Sequence, residues 1–218
     1  MPDKRLPIDL LIFDFDGTLT DSIPPAIEAI QAMLAELKLP HKTAAEIHQY
    51  VGYGEIPLVS GAIGSSEPVL LQKARELYFR NYVENGLNRV PLYPHVQEVL
   101  EYFGPKLKVI VSNKKDDFIN IVLKNLGLTS TFKHVYGGDT APCLKPDPCT
   151  IIKVLKDYKI EPERALFIGD MTVDIETGRN AGIHTCAVTY GFDPKEKLAE
   201  AKPDLIIDDF LKLKDLIV

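Results

Sequence analysis

Leu10-Leu11-Ile12-Phe13-Asp14-Phe15-Asp16-Gly17-Thr18-Leu19-Thr20-Asp21 is the most informative stretch of this 218-residue chain. The run Leu10–Phe15 lacks strict alternation, as a strand buried on both faces of a parallel sheet does. Three carboxylates, Asp14, Asp16 and Asp21, lie within eight residues at its C-terminal end. Such a group is electrostatically costly unless a cation compensates it. In open α/β sheets that edge is where ligands sit. Asp14 and Asp16 are two apart, so a regular strand aims both the same way, and Gly17 allows a sharp turn beyond them. Ordinary turn chemistry accounts for an Asp and a Gly here, but it does not require Asp-x-Asp-Gly-Thr after an apolar run.

Further strands are expected at Lys108–Ser112, Val135–Tyr136, Ala165–Ile168, Thr185–Val188 and Leu205–Ile207. Helical patterns separate most of them: Pro94–Phe103, Asp116–Leu126 closed by Gly127, and a helix opened by Asp147-Pro148. A repeated β-α-β order implies a doubly wound parallel sheet with right-handed crossovers, a Rossmann-like α/β core. Residues 23–88 break the rhythm, with helices expected at Pro25–Leu39, after the capping box Thr43-Ala44-Ala45-Glu46, and at Pro68–Asn85. The expected organisation is therefore an α/β core of residues 1–22 and 89–218 with an all-helical insert, 23–88, after the first strand. Pro24-Pro25 and Pro91 to Pro94 flank the insert as candidate hinges.

A parallel sheet brings four strand ends to one edge. The second strand ends in Ser112-Asn113, a hydroxyl and an amide that a plain helix entry also explains. The fourth ends in Gly169-Asp170-Met171-Thr172-Val173-Asp174, adding two carboxylates, of which an N-cap needs only one. Lys145 is presented by the stiff loop Leu144-Lys145-Pro146-Asp147-Pro148 and means little alone. Together these residues gather an acid cluster, a hydroxyl, an amide and an ammonium. Oxygen-rich sites of this kind suit Mg²⁺, and a lysine with a serine offsets charge on a phosphoryl group. No Walker phosphate loop, G-x-G-x-x-G fingerprint or G-x-S-x-G elbow is present.

Composition narrows the partners. The chain carries 25 Lys+Arg against 31 Asp+Glu, a formal charge of −6, which argues against nucleic acid and an anionic membrane surface. No apolar run approaches a membrane span. Cys143, Cys149 and Cys186 form neither an even disulfide set nor a CxxC metal spacing. They read as core or loop thiols in a reducing cytoplasm, with Cys143, close to Lys145, a candidate for oxidation. His48 and His184 read as surface or satisfied histidines.

These motifs resemble, in order and across nearly the whole chain, the four motifs of the haloacid-dehalogenase-like superfamily of phosphohydrolases with a C1-type cap. The resemblance implies that Asp14 is the nucleophile, forming an aspartyl-phosphate. Asp16 then acts as general acid and base. Ser112, Asn113 and Lys145, with Gly17 and Thr18, bind the phosphoryl group, and Lys145 also orients Asp14. Mg²⁺ is held by Asp14, the Asp16 carbonyl and Asp170, with Asp174 in support. Asp16 argues for phosphoryl transfer, because dehalogenases of that superfamily lack an acid there. Gly137-Gly138-Asp139-Thr140, Lys145-Pro146-Asp147-Pro148 and Tyr190-Gly191-Phe192 look like the phosphoglycolate phosphatase branch. Cys143 departs from it, since a charged residue is common just before the motif lysine. The expected substrate is a small phosphorylated metabolite, 2-phosphoglycolate first. Pyrophosphate or a nucleoside monophosphate, stacked on Tyr50 or Tyr53, comes next. A β-phosphoglucomutase or a silent regulatory homologue ranks below these. Lys73, Arg75 and Arg80 are the cap's candidates for a substrate carboxylate, against the plainer reading that they face solvent on helix 68–85. The expected assembly is a monomer or homodimer.

Overall fold

In the computed structural model, which describes residues 5–218, six strands form one parallel sheet. They are β1 (Leu10–Phe13), β2 (Leu107–Val111), β3 (His134–Tyr136), β4 (Ala165–Gly169), β5 (His184–Val188) and β6 (Leu205–Ile207), in the order β3-β2-β1-β4-β5-β6. This is the doubly wound order, whose direction reverses at β1. Every β1 residue is buried, and its side chains go to the two faces alternately. Leu11 and Phe13 join the larger core with Ile110 and Ile168, while Leu10 and Ile12 pack with Val109, Phe167, Ile151 and Val154 on the other face. The unbroken apolar runs in the sequence reflect this two-sided burial.

The ladder runs one residue past the regular strands. The Asp14 amide donates to Ile168 O at 2.9 Å, and the Ser112 amide to Tyr136 O at 3.0 Å. Both residues are thereby set at the C-terminal edge. The regular strand ends at Phe13 rather than Phe15, because the chain turns at Gly17, where φ is +83°.

Between β1 and β2 lie α1 (Ile23–Glu36), α2 (Ala44–His48), α3 (Glu55–Ile63), α4 (Pro68–Asn85) and α5 (Val96–Tyr102). Ile27, Ile30, Met33 and Leu34 of α1 are buried, and α1 packs on α4. The Thr43–Glu46 capping box forms as its sequence predicts. The helix α3 was not expected. Its sequence carries Pro57 and Gly61, both poor helix formers, yet Gly61 is required there. A Cβ on it would sit 2.3 Å from the Tyr50 ring. The two connections to the sheet run side by side: Asp21 N donates to Pro91 O and Tyr93 N to Leu19 O, each at 3.0 Å.

The remaining helices are α6 (Asp116–Asn125), α7 (Cys149–Tyr158), α8 (Thr172–Asn180), α9 (Lys195–Glu200) and α10 (Leu213–Leu216). Helix α7 starts one residue later than expected, with Pro148 at the N-cap and the Asp147 carboxylate accepting from Cys149 N at 2.9 Å. No helix among the described residues is long and apolar enough to cross a membrane.

The cysteine expectation needs correcting. Cys143 and Cys149 form a disulfide, and Cys186 is free and buried. A six-residue separation carries no pairing signal in sequence. The proline-bearing loop folds back, however, and sets the two Cα atoms 6.0 Å apart, within disulfide reach.

Candidate active site

The ends of β1, β2 and β4 and the loop before α7 converge on one cleft, lined by Asp14, Asp16, Ser112, Asn113 and Lys145. Lys145 lies between two carboxylates. Its Nζ is 2.6 Å from Asp174 Oδ1, to which it donates, and 2.8 Å from Asp14 Oδ1. Only 3% of the lysine side chain is exposed. The second contact lacks hydrogen-bond alignment, so Asp14 Oδ1 is a buried oxygen without a donor. Burial lowers the lysine's affinity for its proton, but Asp14 and Asp174 outweigh that and hold the ammonium charged.

Asp170 is fully buried. Its two oxygens accept from the Thr18 hydroxyl at 2.6 Å and from Phe192 N at 2.8 Å. Asp174 stands at the third position of α8, where its Oδ2 accepts from Asp170 N at 3.1 Å and Met171 N at 2.9 Å. The helix entry thus folds the carboxylate back over its own N-terminus, where dipole and amides favour negative charge. Both Asp174 oxygens already accept from donors in the protein.

Asp14, Asp170 and Asp174 each offer a carboxylate oxygen within 4.8 Å of the others. Three buried carboxylates face a single ammonium in this cluster. Burial pushes the Asp14 carboxyl up from 3.8 to about 6, opposed by Lys145 and reinforced by Asp174 and Asp16. Burial, then Asp14 and Asp174, push Asp170 well above the ordinary range. The donorless Asp14 oxygen and this excess of negative charge fit a hard divalent cation, and an all-oxygen set suits Mg²⁺.

Asp16 takes a different position. Its oxygens accept from Lys114 Nζ at 2.9 and 3.1 Å, and that ammonium also donates to Tyr82 OH of α4 at 2.8 Å. One lysine thereby links the sheet edge to the helical segment. Asn113 clasps the lysine loop: its Oδ1 accepts from Lys145 N at 3.0 Å and its Nδ2 donates to Lys145 O at 3.3 Å. The Ser112 hydroxyl accepts from Lys114 N at 3.3 Å. The Gly17 amide donates to Thr20 O at 2.9 Å, and the Thr18 hydroxyl is committed to Asp170. A Cβ on Gly17 would lie 2.2 Å from Asp170 Oδ2, so only glycine fits. Tyr190 OH donates to Thr18 O at 2.9 Å, and the Asp139 carboxylate accepts from Asp116 N at 2.8 Å. These two sequence segments therefore brace the site from outside it.

Of the three candidate cations on α4, Arg80 pairs with Glu36 and Lys73 is exposed, the solvent-facing reading, while Arg75 stands behind the cleft, paired with its Glu55 at 3.0 Å. Lys114 and Lys115 line the cleft instead, facing Glu55, whose buried Oε2 is 3.5 Å from Lys115 Nζ. Both lysines directly follow Ser112-Asn113, an adjacency visible in the sequence. Glu55 had no such signal. His48 packs against Phe192, ring centres 5.8 Å apart.

Residues 11–188 match the model of the haloacid dehalogenase-like hydrolases. The chain is 33% identical to a phosphoglycolate phosphatase of Vibrio cholerae over 97% of each chain. It is 35% identical to one of Psychrobacter arcticus over 96% of this chain and 95% of that one. The crystal structure of a predicted phosphoglycolate phosphatase from Haemophilus somnus superposes with a TM-score of 0.90 at 28% identity, covering 95% of this chain and 96% of that one. Family model, relatives and sheet edge agree: the chain belongs to the haloacid dehalogenase-like hydrolases, as a phosphatase.

Proposed function

We propose that this phosphatase is Mg²⁺-dependent, works through an aspartyl-phosphate on Asp14, and takes 2-phosphoglycolate as its preferred substrate. The observation that carries the mechanism is the Lys145 ammonium held between Asp14 and Asp174 beside a donorless Asp14 oxygen. Asp14 and Asp170, with the Asp16 carbonyl, would hold the metal. Bound there, the cation neutralises phosphoryl oxygens and removes the repulsion between a carboxylate nucleophile and a phosphate dianion.

An Asp14 carboxylate oxygen attacks phosphorus, forming the O–P bond of an acyl phosphate as the bond to the leaving oxygen breaks. Asp16 gives that oxygen its proton. In the second step Asp16 takes a proton from a water that attacks the phosphoaspartate and releases phosphate. Lys145 and the Ser112 hydroxyl hold phosphoryl oxygens, while Asn113 fixes Lys145 through its backbone. Asp174 positions Lys145, whose ammonium donates to its Oδ1 at 2.6 Å.

Substrate choice rests on the relatives, named phosphoglycolate phosphatases across nearly the whole chain; the cleft adds Lys114 and Lys115, paired with Asp16 and Glu55, as groups a substrate carboxylate can engage. Tyr50 packs on Gly61 and the exposed Tyr53 is not among the residues lining the cleft, so neither favours stacking a nucleobase. The test is phosphate release from 2-phosphoglycolate, pyrophosphate, β-glucose 1-phosphate and nucleoside monophosphates, with Mg²⁺ and with EDTA. Expected is Mg²⁺-dependent turnover led by 2-phosphoglycolate. Another leading ester would overturn the substrate, and equal turnover in EDTA the metal. Borohydride reduction of the quenched enzyme should convert Asp14 to homoserine, and an unmodified Asp14 peptide would overturn the intermediate.

A further inference from the structure

The loop presenting Lys145 is closed by a covalent bond that the phosphatase chemistry does not use. Cys143 and Cys149 are joined across Leu144-Lys145-Pro146-Asp147-Pro148. Lys145 is buried, yet both cysteines are only half-buried, so a solution thiol can reach them. The loop is also tied to the sheet through Asn113 and to α7 through the Thr150 hydroxyl, which donates to Cys143 O at 3.1 Å. Among its covalent and polar ties, the disulfide is the one that a change of redox environment can remove. Cys149 is the first residue of the ten-residue helix α7. Cys186 is buried in β5, where burial pushes its thiol up, so it does not compete.

We propose that Cys143 and Cys149 form a reversible thiol–disulfide couple that sets the hold on Lys145: the disulfide keeps the loop as seen here, and reduction loosens it. The reaction partner is a small-molecule disulfide. The Cys149 thiolate attacks one of its sulfurs, forming a mixed disulfide and expelling one thiolate. The Cys143 thiolate then attacks the Cys149 sulfur, closing the intramolecular bond and expelling the second. The two cysteine protons leave with the two released thiols, so two cysteines are oxidised and one disulfide is reduced. Disulfides whose sulfurs solution thiols can reach, as these half-buried ones allow, are the ones that exchange. The regulatory consequence rests on the reading of Lys145 as a phosphoryl-binding residue.

The test poises the full chain in mixtures of oxidised and reduced glutathione and counts thiols by mass after alkylation in denaturant. In the same samples kcat/KM is measured for 2-phosphoglycolate and p-nitrophenyl phosphate with Mg²⁺, and the loop's protease cleavage rate is followed. Expected are one thiol per chain when oxidised and three when reduced, interconverting reversibly. Reduction should also speed loop cleavage and lower kcat/KM by about tenfold, since small misplacements of a positioning group cost up to about a hundredfold. The Cys143→Ser/Cys149→Ser double variant should stay at the reduced level in every mixture. Three thiols throughout, or a changed count with unchanged kcat/KM and cleavage, would overturn the proposal. So would a reduced chain that retains one equivalent of Zn²⁺ on Cys143, Asp147 and Cys149 and resists oxidation. Should neither ester be hydrolysed in any state, the functional reading fails on its own, and thiol count with cleavage rate still accepts or rejects the couple.

Discussion

Replacing Asp14 with asparagine separates two consequences of one buried charge. The residue is the proposed nucleophile, so Asp14→Asn should abolish turnover. It is also one of three carboxylates sharing a single ammonium, with its carboxyl pushed up by burial from 3.8 to about 6. At pH 7 the folded chain therefore holds an ionised group that the unfolded chain holds more cheaply. A gap of about two pH units costs roughly 3 kcal/mol. Asparagine keeps the shape and removes the charge. In EDTA at pH 7 the variant should be more stable by about 1–3 kcal/mol, the lower figure allowing for sharing among Asp14, Asp170 and Lys145. For a chain of this size, at about 2–4 °C per kcal/mol, that raises the melting temperature by roughly 2–12 °C. The sign with pH follows from the raised value. The wild-type penalty is complete above pH 6 and disappears as pH falls through 6 toward 3.8, so the two melting curves should converge near pH 4. Saturating Mg²⁺ should narrow or reverse the gap, because a ligand at a hundred times its Kd adds about 2.7 kcal/mol to the chain that binds it. Calorimetry of both proteins across pH 4–8, with EDTA and with Mg²⁺, measures this directly. A folded variant that melts at or below wild type in EDTA at pH 7 would refute the electrostatic reasoning.

Two further substitutions probe the lysine. Lys145→Met keeps the length but strips the cation from between Asp14 and Asp174; it should cost about 3–5 kcal/mol in urea unfolding and eliminate turnover, and near wild-type stability would argue against the triad. Asn113→Ala removes both bonds to the Lys145 backbone. It should cost about 2 kcal/mol and lower kcat about 10- to 100-fold. A rise in KM with kcat unchanged would instead point to direct substrate contact by the amide.

Much of this protein was legible one segment at a time. The two-sided burial of β1, the parallel order of the strands, the capping box at Thr43 and the acid-rich strand ends are local patterns that neighbouring residues carry. From them Asp14, Asp16, Ser112, Asn113, Lys145, Asp170 and Asp174 could be assigned to one sheet edge. Helix α3 escaped because its glycine and proline speak against a helix, and only contact with Tyr50 explains Gly61. How the edge residues engage one another depends on distance in space. Lys114 reaches Asp16 across 98 residues of chain, and Thr18 reaches Asp170 across 152. Such pairings leave no periodicity to read. Asn113 as a clasp, Asp174 as a brace, Lys114 and Lys115 in place of the cap cations, and the Cys143–Cys149 bond all follow from where folding brings those atoms. Residue type and spacing specify which chemistry is available. Long-range packing assigns each group its partner, and so its charge, its orientation and its part in the reaction.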